Sequence, residues 1–231
     1  RIDPTGASPP RRVLTGLPSL AAQPAGIGAT GVQDIAFLGA GNAQLAMGFG
    51  ANANARTGLG PRAHLLGSTL QVNAAWGWKP SGDIAAAEDA LNPVPATTPP
   101  GVPDLKDSNP YGIAPLPGRH LVADAGANAI WEVRSNGAIR VFAVFPPRGV
   151  TPPFPGLPNP FPMQAVPTTV TQGPDGWIYA AQLTGFPFPV GAANVYRIAP
   201  EGGAPQVYAS GFTNIVDIAF DASGQLYVLQ I

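Results

Sequence analysis

The stretch MQAVPTTVTQGPDGWIYAAQLTGFPFPVGAANVYRIAPEGGAPQVYASGF, Met163 to Phe212, decides the fold. Four short apolar runs are separated by turn chemistry: Pro167 to Thr171, Trp177 to Ala181, Asn194 to Ala199 and Gln206 to Ser210. The dipeptide-rich turns G-P-D-G and P-E-G-G are tight connections, so the stretch predicts one four-stranded antiparallel sheet. Adjacent runs such as Trp177-Ile178-Tyr179-Ala180-Ala181 lack apolar/polar alternation, as expected of a sheet covered on both faces.

The same unit recurs outward from this stretch. Before it come Tyr111 to Pro115, His120 to Asp124, Ile130 to Arg134 and Ile139 to Val144, and earlier still Thr30 to Phe37, Gln44 to Phe49, Ser68 to Asn73 and a strand near Gly82 to Ala87. After it, Ile215 to Phe220 and Leu226 to Ile231 read as a first and second strand. Arg1 to Gly6 and Arg12 to Pro18 read as a third and fourth. Asp34, Gly112, Thr169 and Asp217 occupy the same place in successive first strands, and the last interval, 48 residues, suits an undecorated propeller blade of about 40 to 50 residues. The expected fold is an all-β propeller of four-stranded antiparallel blades, about four blades' worth in one domain over residues 1–231, incomplete at both ends.

Composition agrees with a turn-rich β protein: Gly and Pro number 29 each among 231 residues, and charged residues are only 11%. The formal charge is −1, with no run of Lys or Arg beyond Arg11-Arg12, which argues against nucleic acid as a partner. There is no cysteine, hence no disulfide or thiolate chemistry, and no apolar stretch long enough to span a bilayer. Ser81 is a candidate cap for Ile84 to Leu91, read as an outer strand running into one helical turn. The Pro-rich segments Pro93 to Pro103 and Phe145 to Pro167 are expected to be extended loops.

The turns divide by length. First-to-second and third-to-fourth connections are short, whereas Gly50 to Leu66, Asn92 to Ser108, Phe145 to Val166 and Leu183 to Ala193 are long, and strand alternation puts all four on one face. Variable loops on a rigid scaffold are where binding groups usually sit. Asn109, Asp124, Gln182, Asn214 and Gln230 are expected at the channel mouth on that face, with Asp34 and Asp217 deeper. Oxygen ligands there could hold Ca²⁺, but the commoner job of such residues is to satisfy backbone N–H groups at strand ends. No metal or cofactor is therefore expected. Phe154, Phe161, Phe186 and Phe188 form a candidate partner surface, the alternative being loop packing on the disc. His64 and His120 fall at opposite rims, which disfavours a Ser-His-Asp arrangement.

Four stretches, D-S-N-P-Y-G (Asp107 to Gly112), M-Q-A-V-P-T (Met163 to Thr168), L-T-G-F-P-F-P-V-G-A-A (Leu183 to Ala193) and Y-A-S-G-F-T-N-I-V-D-I-A-F (Tyr208 to Phe220), resemble the propeller proteins associated with scytonemin biosynthesis clusters. L-V-A-D-A-G-A-N-A-I (Leu121 to Ile130) is similar to the NHL-type repeat. The resemblance implies a secreted or periplasmic protein, longer than this chain and hence a six-bladed ring of which this chain is a part, with no established universal chemistry. Gln182 and Gln230 stand where that family tends to carry Glu. The expected function is binding of a small molecule or protein partner through the long-loop face. The alternatives are a calcium-dependent lactonase or strictosidine-synthase-like enzyme and a structural component of an extracellular layer or appendage.

Overall fold

The computed structural model describes residues 5–21, 29–94 and 106–231. The first sheet contains β1 (Val32–Gly39), β2 (Asn42–Met47), β3 (Ser68–Val72) and β4 (Trp78–Asp83), followed by helix α1 (Ile84–Leu91). The second contains β5 (Pro110–Leu116), β6 (Arg119–Asp124), β7 (Ala129–Arg134) and β8 (Ile139–Val144). A small hairpin, β9 (Arg148–Val150) and β10 (Phe161–Met163), precedes the third sheet, β11 (Pro167–Gln172), β12 (Ile178–Gln182), β13 (Ala193–Ile198) and β14 (Gln206–Phe212). The pair β15 (Ile215–Phe220) and β16 (Leu226–Gln230) opens a fourth. All pairs are antiparallel and in sequence order, and β1, β5, β11 and β15 touch successively as the inner strands of propeller blades.

One backbone irregularity recurs in every blade. The register of the inner strand slips between Val32 and Asp34, Pro110 and Gly112, Pro167 and Thr169, and Ile215 and Asp217. Such a bulge bends the strand and re-aims the next side chain. The residues after the four bulges are the ones aligned by sequence, and they latch neighbouring blades. Asp34 Oδ2 accepts from Ile113 N–H at 2.9 Å, and Thr169 Oγ1 donates to Asp217 Oδ1 at 2.9 Å. Gly112 leans on the third blade so closely that a Cβ would stand 2.6 Å from the Thr168 carbonyl oxygen.

Each middle strand feeds two seams. Leu121 and Ala123 pack against Val170, Ile178 and Ala180 of the third blade, while Val122, Trp131 and Val133 pack against Ala46 and Ile84 of the first. Tyr179, Ala181 and Val195 then meet Ile215 and Ile218 of the fourth blade. Burial of both faces is why these strands carry no polar stripe.

Four expectations need correction. The fourth strand of the first blade is Trp78–Asp83, earlier than Gly82 to Ala87, because Pro80 is tolerated in an outer strand and Asp83 starts a helix. The cap is Asp83, not Ser81: Asp83 Oδ1 accepts from Ala86 N–H at 3.1 Å, and Arg56 grips the same carboxylate, so the apolar run makes two helical turns. The Phe145 to Pro167 segment holds the β9–β10 hairpin. Arg12 to Pro18 forms no strand; Leu14 and Leu17 instead pack on Leu65, Leu70 and Val72. Arg1 to Pro4 lie outside the described residues, as does most of the Pro93 to Pro103 loop.

Candidate functional site on the long-loop face

The insertions lock to one another on one face. Gly50 N–H donates to the Ser108 carbonyl, Ala53 N–H to Asp89 Oδ2, Leu183 N–H to the Val166 carbonyl and Gly191 N–H to Thr213 Oγ1. The short turns meet on the other: Ser135 N–H donates to the Gly118 carbonyl, and Arg119 Nη2 to the Pro200 carbonyl.

Asp124, expected at the channel mouth, is completely buried at the end of β6. Five donors converge on it: Ser108 Oγ (2.8 Å), Asn109 N–H (2.6 Å), Gly126 N–H (3.2 Å), Ala127 N–H (3.1 Å) and Trp131 Nε1 (3.2 Å). This is the coordination of an acceptor-only carboxylate. Burial pushes its pKa up, against the pull of those donors. Gly126 is obligatory in that loop, since a Cβ there would sit 1.4 Å from the Asp107 carbonyl oxygen.

The other expected mouth residues are likewise engaged. Asn109 Oδ1 accepts from Phe49 N–H, Asn214 Oδ1 from Thr184 Oγ1, and Gln230 Oε1 from Thr213 N–H. Gln182, 1% exposed, accepts from the Tyr196 hydroxyl at 2.5 Å and donates to the Ala165 carbonyl. Asp34 and Asp217 each also accept from the following backbone N–H, besides latching blades. All seven side chains therefore hold strand ends and seams together. Among the described residues no three His, Cys, Asp or Glu side chains are grouped so as to hold a metal ion.

What the face presents instead is aromatic. Phe186 is the hub, with ring centroids 6.3 Å from Phe154, 5.6 Å from Phe161 and 6.4 Å from Phe188, the last two edge-on. Phe154, Phe186 and Phe188 are each about half exposed, and Val190 is almost fully so. Ring-to-ring packing around Phe186 joins the cluster into one apolar platform.

Beside the platform lies a cavity of about 250 Å³ that sequence reasoning missed. Its lining includes Glu88 from α1, Lys106, Asp107, Asn128, Gln164 and Val166. Gln164 joins the two features, accepting from Asn128 Nδ2 at 2.9 Å through its side chain and from Gly185 N–H, next to Phe186, through its backbone. Burial, with Asp124 and Asp107 adding repulsion, raises the Glu88 pKa to about 8, and burial with Asp124 raises Asp107 to about 6. Glu88 Oε2 is buried without a hydrogen-bond partner among the described residues. The signal was a lone Glu-Asp pair in an alanine-rich helix, but its partners come from two other insertions.

No model of a known protein family matches the sequence, and no curated protein does. Solved structures of similar fold include a streptogramin B lyase (15% identity, 85% of this chain and 47% of that one, TM-score 0.50). Two others are a gluconolactonase from Xanthomonas campestris (16%, 87% and 62%, 0.46) and YCF48 bound to a D1 peptide (12%, 96% and 55%, 0.46). The chain is a β-propeller. At such identities the likeness concerns the fold alone, and this chain spans about half the length of the lyase. Among the described residues no helix is long and apolar enough to cross a membrane.

Proposed function

We propose that this propeller is a binding module whose long-loop face takes up an apolar or aromatic group, of a small molecule or of a partner's side chains, on the platform around Phe186. The observation that carries the reading is the division of labour on that face. Its polar residues at the expected mouth are consumed by backbone and neighbouring side chains, while three phenylalanine rings stay half exposed on loops tied to one another. Exposed aromatic surface costs solvation free energy and, clustered, marks an interaction site. The family resemblance supports the same reading and adds secretion or export to the periplasm as part of the proposal.

A lactonase-like activity would need free channel carboxylates. Asp34, Asp124 and Asp217 already accept two or more hydrogen bonds each, which favours binding over catalysis. Fluorescence titration with the neutral dye Nile red tests the proposal. Saturable binding should weaken at least tenfold in Phe186→Ser, since burying a phenylalanine contributes about 1.5–3 kcal/mol. Equal binding by wild type and Phe186→Ser, or none by either, overturns it.

A further inference from the structure

The opposite, short-turn face carries a second cavity, about 390 Å³, at the seam of the first and second blades. Lys79 and Ser81 of β4, Gln71 of β3, Arg119 and His120 of β6 and Arg134 at the end of β7 contribute to its walls, and no carboxylate does. The nearby acid, Glu132, is withdrawn beneath the surface at 1% exposure and gripped by three guanidiniums. Arg119 Nη1 lies at 2.6 Å, Arg134 Nε at 2.7 Å and Arg140 Nη2 at 2.6 Å.

One buried carboxylate thus orders three arginines without neutralising them, and leaves the cavity cationic. Arg134 spends only its Nε on Glu132, so both Nη groups stay available, and Lys79 has no ion-pair partner among the described residues. Guanidinium groups fixed in advance lose little entropy when they meet an anion. The remaining polar wall is neutral and equally fixed. His120 Nε2 bonds Thr69 Oγ1 at 3.0 Å, Thr69 Oγ1 bonds Ser81 Oγ at 3.0 Å, and Ser81 Oγ donates to Gln44 Oε1 at 3.3 Å. Burial holds the His120 pKa down at about 4, so the imidazole is uncharged at neutral pH and serves as a hydrogen-bonding group.

We propose that this cavity binds a small hydroxylated anion, a sugar phosphate or sugar carboxylate, with Lys79 and Arg134 on the charged group and Ser81, Gln71 and His120 facing the hydroxyls. The volume falls in the range of small-molecule sites, about 300–1,000 Å³, and is far larger than a bare inorganic ion requires. Neutral hydroxyl, amide and imidazole groups beside fixed cations match a ligand that is anionic at one end and hydroxylated elsewhere.

Isothermal titration calorimetry at low ionic strength with glucose 6-phosphate, inorganic phosphate and glucose tests it. Glucose 6-phosphate should bind more tightly than phosphate and glucose should give no heat. Lys79→Ala, which removes an unpaired cation and leaves the Glu132 cluster intact, should weaken glucose 6-phosphate about tenfold, and Lys79→Arg should restore it. Phe186→Ser should leave this binding unchanged, which separates the site from the aromatic platform. Absence of glucose 6-phosphate binding, affinity equal to that of inorganic phosphate or glucose, or indifference to Lys79→Ala overturns the proposal.

Discussion

Glu88 and Glu132 are 4% and 1% exposed, yet they meet opposite electrostatics on the two faces of the disc. On the long-loop face Glu88 stands beside Asp107 and Asp124, and the nearby Lys106 gives its ammonium to the Asp89 carbonyl at 2.6 Å. On the short-turn face burial alone would raise Glu132, but hydrogen bonds from Arg140, Arg134 and Arg119 overcome it and hold its pKa down at about 2. Burial pushes both carboxyl groups up; beside Glu88 two further acids add to that push, whereas around Glu132 three guanidiniums overcome it. Hence one face combines aromatic rings with an acidic recess, and the other is a cationic cavity.

The largest expected effect lies at the hinge of this contrast, Asp124. Truncation in Asp124→Ala strands five donors around a buried void and should cost about 4 kcal/mol, read from urea denaturation. A loss below about 1 kcal/mol would mean that the mouth loop re-forms without it. Glu132→Gln should cost less, about 2 kcal/mol, because its arginines are partly exposed and can recover water. If that variant were more stable than wild type, the guanidinium cluster would not need its carboxylate and the contrast between faces would fail.

Protonation sharpens the comparison because the two glutamates act with opposite sign. Glu132, lowered from 4.5 to about 2, contributes stability that is lost as pH falls from about 4.5 through 2. His120, lowered from 6.5 to about 4, resists a proton that the unfolded chain accepts, so stability also falls as pH drops from 6.5 toward 4. Glu88, raised from 4.5 to about 8, does the reverse: the folded state keeps a proton the unfolded state has released, and stability falls as pH rises from 4.5 through 8. Thermal unfolding of Glu88→Gln should therefore match wild type near pH 5 and exceed it at pH 9, by about 1–2 kcal/mol. Equal stability at pH 9 would remove Glu88 from the alkaline limb.

The fold was legible where turn chemistry is regular. In the second and third blades and the final pair, Gly, Pro and Asp mark turns and each apolar run is a strand, so Ile139 to Val144 and Ile215 to Phe220 match to the residue. Reading failed where tertiary partners overrode the local pattern. Ile84 to Leu91 is apolar enough for a strand, but Asp83, fixed by Arg56, caps a helix. Asp124, Gln182 and Gln230 end β6, β12 and β16, and the commoner role of such residues, holding backbone and neighbouring groups at strand ends, is the one their hydrogen bonds display. The acidic recess and the arginine cluster were invisible for another reason. Their members lie far apart in the chain, as Glu88 and Gln164 do, or on neighbouring strands, as Arg119, Glu132 and Arg140 do, and a composition with 11% charged residues gives no hint that they converge.

The contrast between faces can be measured in one experiment, ¹³C-detected NMR titration of the side-chain carboxyl carbons of Glu88 and Glu132 in the intact chain, assigned with Glu88→Gln and Glu132→Gln. The account predicts two widely separated midpoints, Glu88 near 8 and Glu132 near 2. Midpoints that both fall near the ordinary 4.5 would contradict it, since Glu88 would then be hydrated or paired with Lys106 of the same recess and the arginine cluster would not enclose its carboxylate.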